Sequence, residues 1–238
     1  MMTTKRPTTR TSSNGDTDLT GSVVSYPDRC NRWGDPSYRG NCDGQLFRSL
    51  VLQYRPKCIA DPMMGSGTTR DVVAELNERK HAGIRYWGSD LKNGFNLVKQ
   101  PLPGPFDFVW IHPPYWSIIQ YSDHPDDLSN QYEYEDFLRT LTTCLRRCHE
   151  ALQPGGRLAV LVGDVRRFGI YTPIVRDILN LEGAIGRLRS IIIKQQHHCR
   201  SDRKVYGRMA DVPIRHEYCV VFQRDSYKAL TAFSRFNN

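Results

Sequence analysis

The stretch Lys57-Cys58-Ile59-Ala60-Asp61-Pro62-Met63-Met64-Gly65-Ser66-Gly67-Thr68-Thr69 decides the fold. Lys57–Asp61 reads as a short strand that breaks into a glycine-bearing loop, and Gly67–Arg79 carries a helical pattern. Gly65 and Gly67 let the backbone turn sharply and approach a ligand closely, while the helix N-terminus offers free N–H groups to an acceptor. No lysine follows the second glycine, which argues against a phosphate loop for nucleoside triphosphates. A plain glycine turn would have the same composition, so the reading depends on what surrounds the loop.

Outward from the loop, strands and helices alternate. Gln45–Tyr54 places Leu46, Phe47, Leu50, Val51 and Tyr54 at a helical period ended by Pro56, and Ile84–Ser89 reads as a second strand. Phe106–Ile111 is apolar but for Asp107 and is expected to be a central strand. Tyr132–Leu152 reads as a long helix stopped by Pro154-Gly155-Gly156. Arg157–Val162 is a fourth strand, Tyr171–Leu181 a helix, and Leu188–Lys194 and Glu217–Arg224 two last strands. This alternation predicts an α/β fold with a doubly wound, mostly parallel sheet and ligands at the carboxyl ends of its strands. No helix separates the last two strands, so one of them is expected to be antiparallel. A length of 238 residues suits one such domain. Residues 1–22, rich in Thr, Ser, Gly and charge, are expected to be a disordered tail, leaving 23–238 as a single domain; Tyr26–Asp43 reads as an ordered, irregular lead-in.

The formal net charge is +8 and the pI about 9.2. Between Ile185 and Arg215 stand Arg187, Arg189, Lys194, Arg200, Arg203, Lys204, Arg208 and Arg215, against Asp202 and Asp211 only. A solvated basic face would look the same, but such concentration, with Tyr206 and two histidines interleaved, favours contact with a phosphate backbone. No apolar run is long enough to span a membrane, and the N-terminus lacks the apolar core of a signal peptide, so a cytoplasmic protein is expected. The seven cysteines show no C-x-x-C spacing and read as reduced structural thiols, with Cys144 and Cys148 on one helical face. Cys30, Cys42, His197, His198 and Cys199 are of the right type for zinc, but their spacing does not demand a metal and none is expected.

Two further segments carry chemistry. Trp87-Gly88-Ser89-Asp90 ends the strand after the glycine loop, and an acidic residue there is placed to accept hydrogen bonds from ribose hydroxyls. Asp107-Phe108-Val109-Trp110-Ile111 delivers His112-Pro113-Pro114-Tyr115-Trp116 just beyond the sheet. Neither proline has an N–H, so carbonyl acceptors stand free beside two aromatic rings. An acceptor cluster with an aromatic platform suits a planar ligand bearing an amino group, such as a base swung out of its duplex.

Together these segments resemble the DNA amino-methyltransferases, the S-adenosylmethionine-dependent N6-adenine and N4-cytosine enzymes. Asp61–Thr69 is similar to their D-P-F-x-G-S-G-T-T cofactor motif and His112–Tyr115 to their [D/N/S]-P-P-Y motif. Gln45–Tyr54 resembles the helix before their cofactor loop, Leu152–Val162 their L-x-P-G-G-x-L-x-V strand, and Arg215-His216-Glu217 with Val220–Phe222 their closing H-E-x-x-x-x-F strand. The resemblance covers about Gln45 to Arg224. It implies the seven-stranded class I methyltransferase sheet with one antiparallel strand. Asp61, Met63, Gly65, Ser66, Gly67 and Thr68 would hold the methionine end of S-adenosylmethionine, and Asp90 its ribose. His112, Pro113, Pro114 and Tyr115 would form the catalytic loop, His112 and the Pro113 carbonyl accepting from the target amino group and Tyr115 stacking on the base. Two acceptors on the amine push its nitrogen toward tetrahedral geometry and free its lone pair for in-line attack on the methyl group.

His112 departs from the family pattern, which has Asp, Asn or Ser there. A neutral imidazole accepts one hydrogen bond, whereas a protonated one would repel a sulfonium, so activity is expected to fall as pH drops through the histidine pKa. The alternative is a degenerate site in an inactive, cofactor-binding subunit. Trp116 with Tyr121 leans toward cytosine, and His112 supports neither base. There is no inserted target-recognition domain. Readout is therefore expected from Asp164–Tyr171 and Gln195–Arg215, with Trp116, Arg166, Arg167, Lys194, Arg200, Arg203, Lys204 and Arg208 contacting nucleic acid. DNA is the expected partner, with a base flipped into the pocket. An RNA base methyltransferase uses a similar loop, and a small-molecule enzyme would leave the basic segment without purpose. An oligomer or partner subunit, and a setting such as restriction-modification, would both fit.

Overall fold

A computed structural model describes residues 19–197 and 211–226. The elements run β1 (Val23–Ser25), α1 (Gln45–Tyr54), β2 (Cys58–Asp61), α2 (Thr68–Lys80), β3 (Arg85–Gly88), β4 (Phe106–Ile111), α3 (Tyr134–Glu150), β5 (Leu152–Val162), β6 (Val165–Arg167), β7 (Ile170–Thr172), α4 (Ile174–Leu179), β8 (Arg187–Gln195) and β9 (His216–Gln223), with 3-10 turns at Leu91–Asn93, Trp116–Ile118 and Leu128–Asn130. Seven strands form one sheet in the order β1-β8-β9-β5-β4-β2-β3, and β6 and β7 form a separate hairpin. Among the described residues of the seven-stranded sheet, β9 alone runs antiparallel to both neighbours, β5 and β8; β1–β8, β2–β3, β2–β4 and β4–β5 are parallel. The fold is the expected doubly wound sheet with one antiparallel strand.

Burial follows the period of the strands. Phe108 and Trp110 face one layer with Leu46, Phe47 and Leu50 of α1 and Val72, Val73 and Leu76 of α2. Val109 and Ile111 face the opposite layer with Phe137, Leu141, Cys144, Leu145 and Cys148 of α3 and Ile174 and Ile178 of α4. Both faces of β4 are covered, which is why Phe108–Ile111 is apolar without alternation. Cys144 and Cys148 lie on one face of α3, as their spacing implied, and that face is buried in this layer.

Some boundaries differ from expectation for identifiable reasons. Helix α3 stops at Glu150, because Leu152 already pairs with Phe106 of β4 and Ala151 bonds back to the Arg147 carbonyl. Tyr171 and Thr172 are strand where helix was expected: they belong to β7, and α4 begins only after Pro173, its N-cap. The turn between β6 and β7 has Phe168 at φ 50° and Gly169 at φ 81°, the left-handed pair that closes a tight hairpin. The seventh strand, β1, lies just outside the expected tail. Ser22 accepts a hydrogen bond from the Ile193 amide at 2.7 Å, and Leu19 packs on the α1/α2 layer, so ordered structure begins before the expected boundary at residue 22. Residues 1–18 lie outside the described residues. No helix among the described residues is long and apolar enough to cross a membrane.

Candidate active site

Strands β2, β3 and β4 end side by side, so the glycine loop, Asp90 and His112 converge above the sheet. The loop is held from below and from the side. Met64 N–H donates to the Ser89 carbonyl at 3.1 Å, and Gly65 N–H donates to Asp90 Oδ2 at 2.9 Å. Gly65 and Gly67 have φ of 56° and 87°, conformations that favour glycine. Asp90 Oδ1 also accepts from the Lys92 and Asn93 amides, so this carboxylate ties two loops together while still lining the cavity between them.

Asp61 is buried and accepts from Thr69 Oγ1 at 2.5 Å and the Met63 amide at 3.1 Å. Burial, helped by the Asp90 charge, pushes its carboxyl up to about 7 against these two hydrogen bonds, and among the described residues no cation offsets it. The neighbouring carboxylates are otherwise served. Asp126 pairs with Lys99 at 2.5 Å, and Asp127 accepts from Ser122 and Ser129. Phe95, Leu97 and Val98 supply an apolar wall to the same cavity. A cavity with acidic ends, an apolar wall and one buried carboxyl lacking a cation fits a ligand that brings its own positive charge, as S-adenosylmethionine does.

His112 lies in a wall shared by this cavity and a second one. Pro114 faces the first; Pro113, Tyr115, Lys194, Gln195 and Glu217 line the second. His112 Nε2 is 2.9 Å from Tyr115 Oη, which donates to Glu217 Oε1 at 2.8 Å, and Lys194 Nζ donates to Glu217 Oε2 at 3.0 Å. Lys194 and Glu217 are direct cross-strand partners on β8 and β9. Burial opposes the Glu217 charge, but Lys194, His112 and Tyr115 outweigh it and hold the carboxyl at about 2. Burial lowers the His112 pKa below the usual 6.5, with Lys194 adding to the effect and Glu217 resisting it, so the ring is neutral at pH 7. One ring face of Tyr115 lies against Gly163, where an added Cβ would stand 2.8 Å from Tyr115 Cε2.

The basic and aromatic residues expected to touch nucleic acid divide differently. Lys194 is 12% exposed and bound to Glu217, so its ammonium serves the buried network rather than a phosphate. Trp116 lines neither cavity. Its indole N–H donates to the Gln131 carbonyl at 3.0 Å, and its ring meets Tyr134 edge-on and the Arg167 guanidinium at 5.5 Å. These contacts hold Trp116 at φ 51°, a strained value for a bulky residue beside the catalytic loop. Arg167 also bonds Ser117 and lies over Phe168, binding the β6–β7 hairpin to that loop. Arg166 pairs with Asp211 at 2.7 Å. Both arginines are thus engaged within the chain, and the hairpin exposes Phe168 and Ile170. Arg200, Arg203, Lys204, Arg208, Tyr206, His198 and Cys199 lie outside the described residues. Among the described residues no three metal-ligating side chains come together.

The lead-in holds residues that sequence reading did not single out. Asn41 Oδ1 accepts from Ser66 Oγ and Thr68 Oγ1, clamping the glycine loop. Gly34 N–H donates to Asp71 and Trp33 Nε1 to Glu75 on α2. Tyr38 stacks on Tyr121 at 6.1 Å, with Lys92 Nζ 4.0 Å from its ring centre, and these side chains close the first cavity. The aromatic residues of 26–43, set among Gly, Pro and Asn, were the available signal, but the segment carries no periodicity.

A DNA methylase family profile for N6/N4 methyltransferases matches residues 106–237, more than half of the chain. A Thermus thermophilus protein described as a DNA modification methylase, solved with S-adenosyl-L-methionine, is 30% identical over 55% of this chain and 51% of that one, with a TM-score of 0.38. Its selenomethionine form gives 29% over 55% and 48%. An S-adenosylmethionine-dependent methyltransferase from Methanosarcina mazei is 10% identical over 74% of this chain and 97% of its own, with a TM-score of 0.46. This chain therefore spans about half the length of the Thermus protein. No curated protein matches. The chain belongs to the DNA methylase family of N6/N4 methyltransferases.

Proposed function

We propose that this protein transfers a methyl group from S-adenosylmethionine to the exocyclic amino nitrogen of a DNA base, N4 of cytosine or N6 of adenine. One observation carries the reading: His112 stands in the wall between two cavities, one bearing the glycine loop and Asp90, the other bearing Pro113, Tyr115 and Glu217. Asp61, Met63, the backbone of Gly65–Gly67 with Ser66 and Thr68, and Asp90 hold the cofactor in the first. The base enters the second, beside Tyr115. When bound, S-adenosylmethionine supplies an electrophilic methyl group. His112 and the Pro113 carbonyl accept hydrogen bonds from the amino group, orient its lone pair toward the first cavity, and His112 takes the released proton. Incubation with labelled cofactor and either duplex DNA or bulk RNA, followed by nucleoside digestion and mass spectrometry, identifies polymer, base and nitrogen together. Label in RNA alone replaces DNA as substrate; label in neither, with cofactor bound, makes the chain a non-catalytic subunit.

Two further results are expected. With saturating cofactor, kcat stays level as pH falls from 8 and drops only below the ordinary histidine range, because burial keeps His112 neutral. The limb should vanish in His112→Asn; persistence there would assign it to another group. Cofactor affinity should instead weaken as pH falls through about 7, where Asp61 gains a proton and loses its attraction for the ligand's ammonium. Calorimetric titration of Asp61→Asn should show weaker binding and no such pH dependence.

A further inference from the structure

An imidazole in place of a carboxylate raises a problem that the family's Asp does not have. A carboxylate offers an acceptor on either oxygen. A neutral imidazole has one N–H and one bare nitrogen, and the wrong tautomer sets a donor against the donors of the amino group.

The geometry around Tyr115 settles which nitrogen carries the proton. The hydroxyl has one proton and two polar neighbours. It donates to Glu217 Oε1 at 2.8 Å, and His112 Nε2 lies 2.9 Å from the same oxygen. Lys194 Nζ, 3.0 Å from Glu217 Oε2, keeps that carboxylate charged in a buried setting. A charged carboxylate only accepts, so the tyrosine proton belongs to Glu217. The hydroxyl oxygen then accepts from Nε2–H, and the lone pair of the ring sits on Nδ1, which has no hydrogen-bond partner among the described residues.

We infer that Glu217 is a positioning residue: acting through Tyr115, it fixes His112 in the Nε2–H tautomer and keeps Nδ1 bare for the amino group of the base. The inference rests on the amino-methylation reading. It gives Tyr115 a second duty, as the relay of the lock, and gives Lys194 a reason to be buried beside the site. A purely structural cross-strand ion pair would hold β8 to β9 but would have no bearing on the ring.

The test reads the tautomer directly. Full-length protein labelled with 15N-histidine is examined by NMR at pH 8, with the His112 signals assigned from their loss in His112→Asn. The wild type should show a protonated Nε2 and a bare Nδ1. Glu217→Gln should give a mixture of tautomers. Tyr115→Phe, which leaves the Lys194–Glu217 pair intact, should do the same if the charge change in Glu217→Gln impairs folding. In both variants kcat should fall about 10- to 100-fold with cofactor affinity unchanged, the scale known for removing the outer hydrogen-bond partner of a metal-bound histidine. An Nδ1–H ring in the wild type, or a ring unaltered in both variants, overturns the inference alone. An enzyme with the expected tautomer that methylates neither DNA nor RNA overturns it together with the activity reading.

Discussion

His112→Ala is expected to lose methyl transfer by about 10²–10⁴-fold, the range that a positioned acid–base group contributes, while binding cofactor as the wild type does. The separation follows from the layout: the contacts proposed for the cofactor lie on the glycine loop and at Asp90, and His112 touches neither through a hydrogen bond. Single-turnover transfer and calorimetric binding measured on one preparation check it. Undiminished transfer would remove His112 from the mechanism and leave the fold as it stands. His112→Asp, which restores the commoner family residue, should recover part of the rate and should not need Glu217. A second carboxylate near Glu217 would however add like-charge repulsion, so recovery should be greater in Glu217→Gln/His112→Asp than in His112→Asp alone.

Lys194→Met should destabilise the protein by about 3–5 kcal/mol at pH 7, because it leaves the Glu217 charge buried without its cation. The sign with pH is defined by the folded carboxyl at about 2, below its unfolded value near 4.5. In the wild type, the contribution of Glu217 is fully present above the unfolded value and is lost as pH falls through about 2. The gap between wild type and variant should therefore be widest near neutrality and close as the medium becomes acidic enough to protonate the carboxylate. Denaturant unfolding at pH 7 and near pH 2 measures both points. Adding Glu217→Gln to Lys194→Met should regain part of the loss, and a penalty below about 1 kcal/mol for the single variant would show the pair to be solvated.

The sheet was legible because its strands are covered on both faces: the run Phe108–Ile111 reads as interior, and it is so, with alternate residues feeding opposite layers. That one of the last two strands is antiparallel could be read from the sequence, which passes from one to the other without a helical pattern. The position of His112 at the end of a buried strand and of Asp90 at the end of another were equally readable, since strand ends are set by periodicity. What escaped was decided by tertiary contact. Lys194 and Glu217 are separated by 23 residues and meet only through the register of β8 with β9, so the basic count around Lys194 pointed outward when the side chain points in. Trp116 and Arg167 satisfy each other, which no local pattern announces. Asn41 and Tyr38 act through a segment without regular structure, where composition is informative and position is not.

The three residues of β1 have a consequence for handling this protein. They bond residues 193–195 of β8, which is the outermost long strand and carries Ile191-Ile192-Ile193, with Ile191 already 37% exposed. A row of open amide and carbonyl groups beside a β-branched triplet is a template on which another chain can build. Val23–Ser25 blunts its carboxyl half, and Arg187 and Arg189 add charge along the rest. Trimming the amino terminus past Ser25 to obtain a tidier domain would thus unmask a self-association surface, and solubility would be lost before any catalytic group was disturbed.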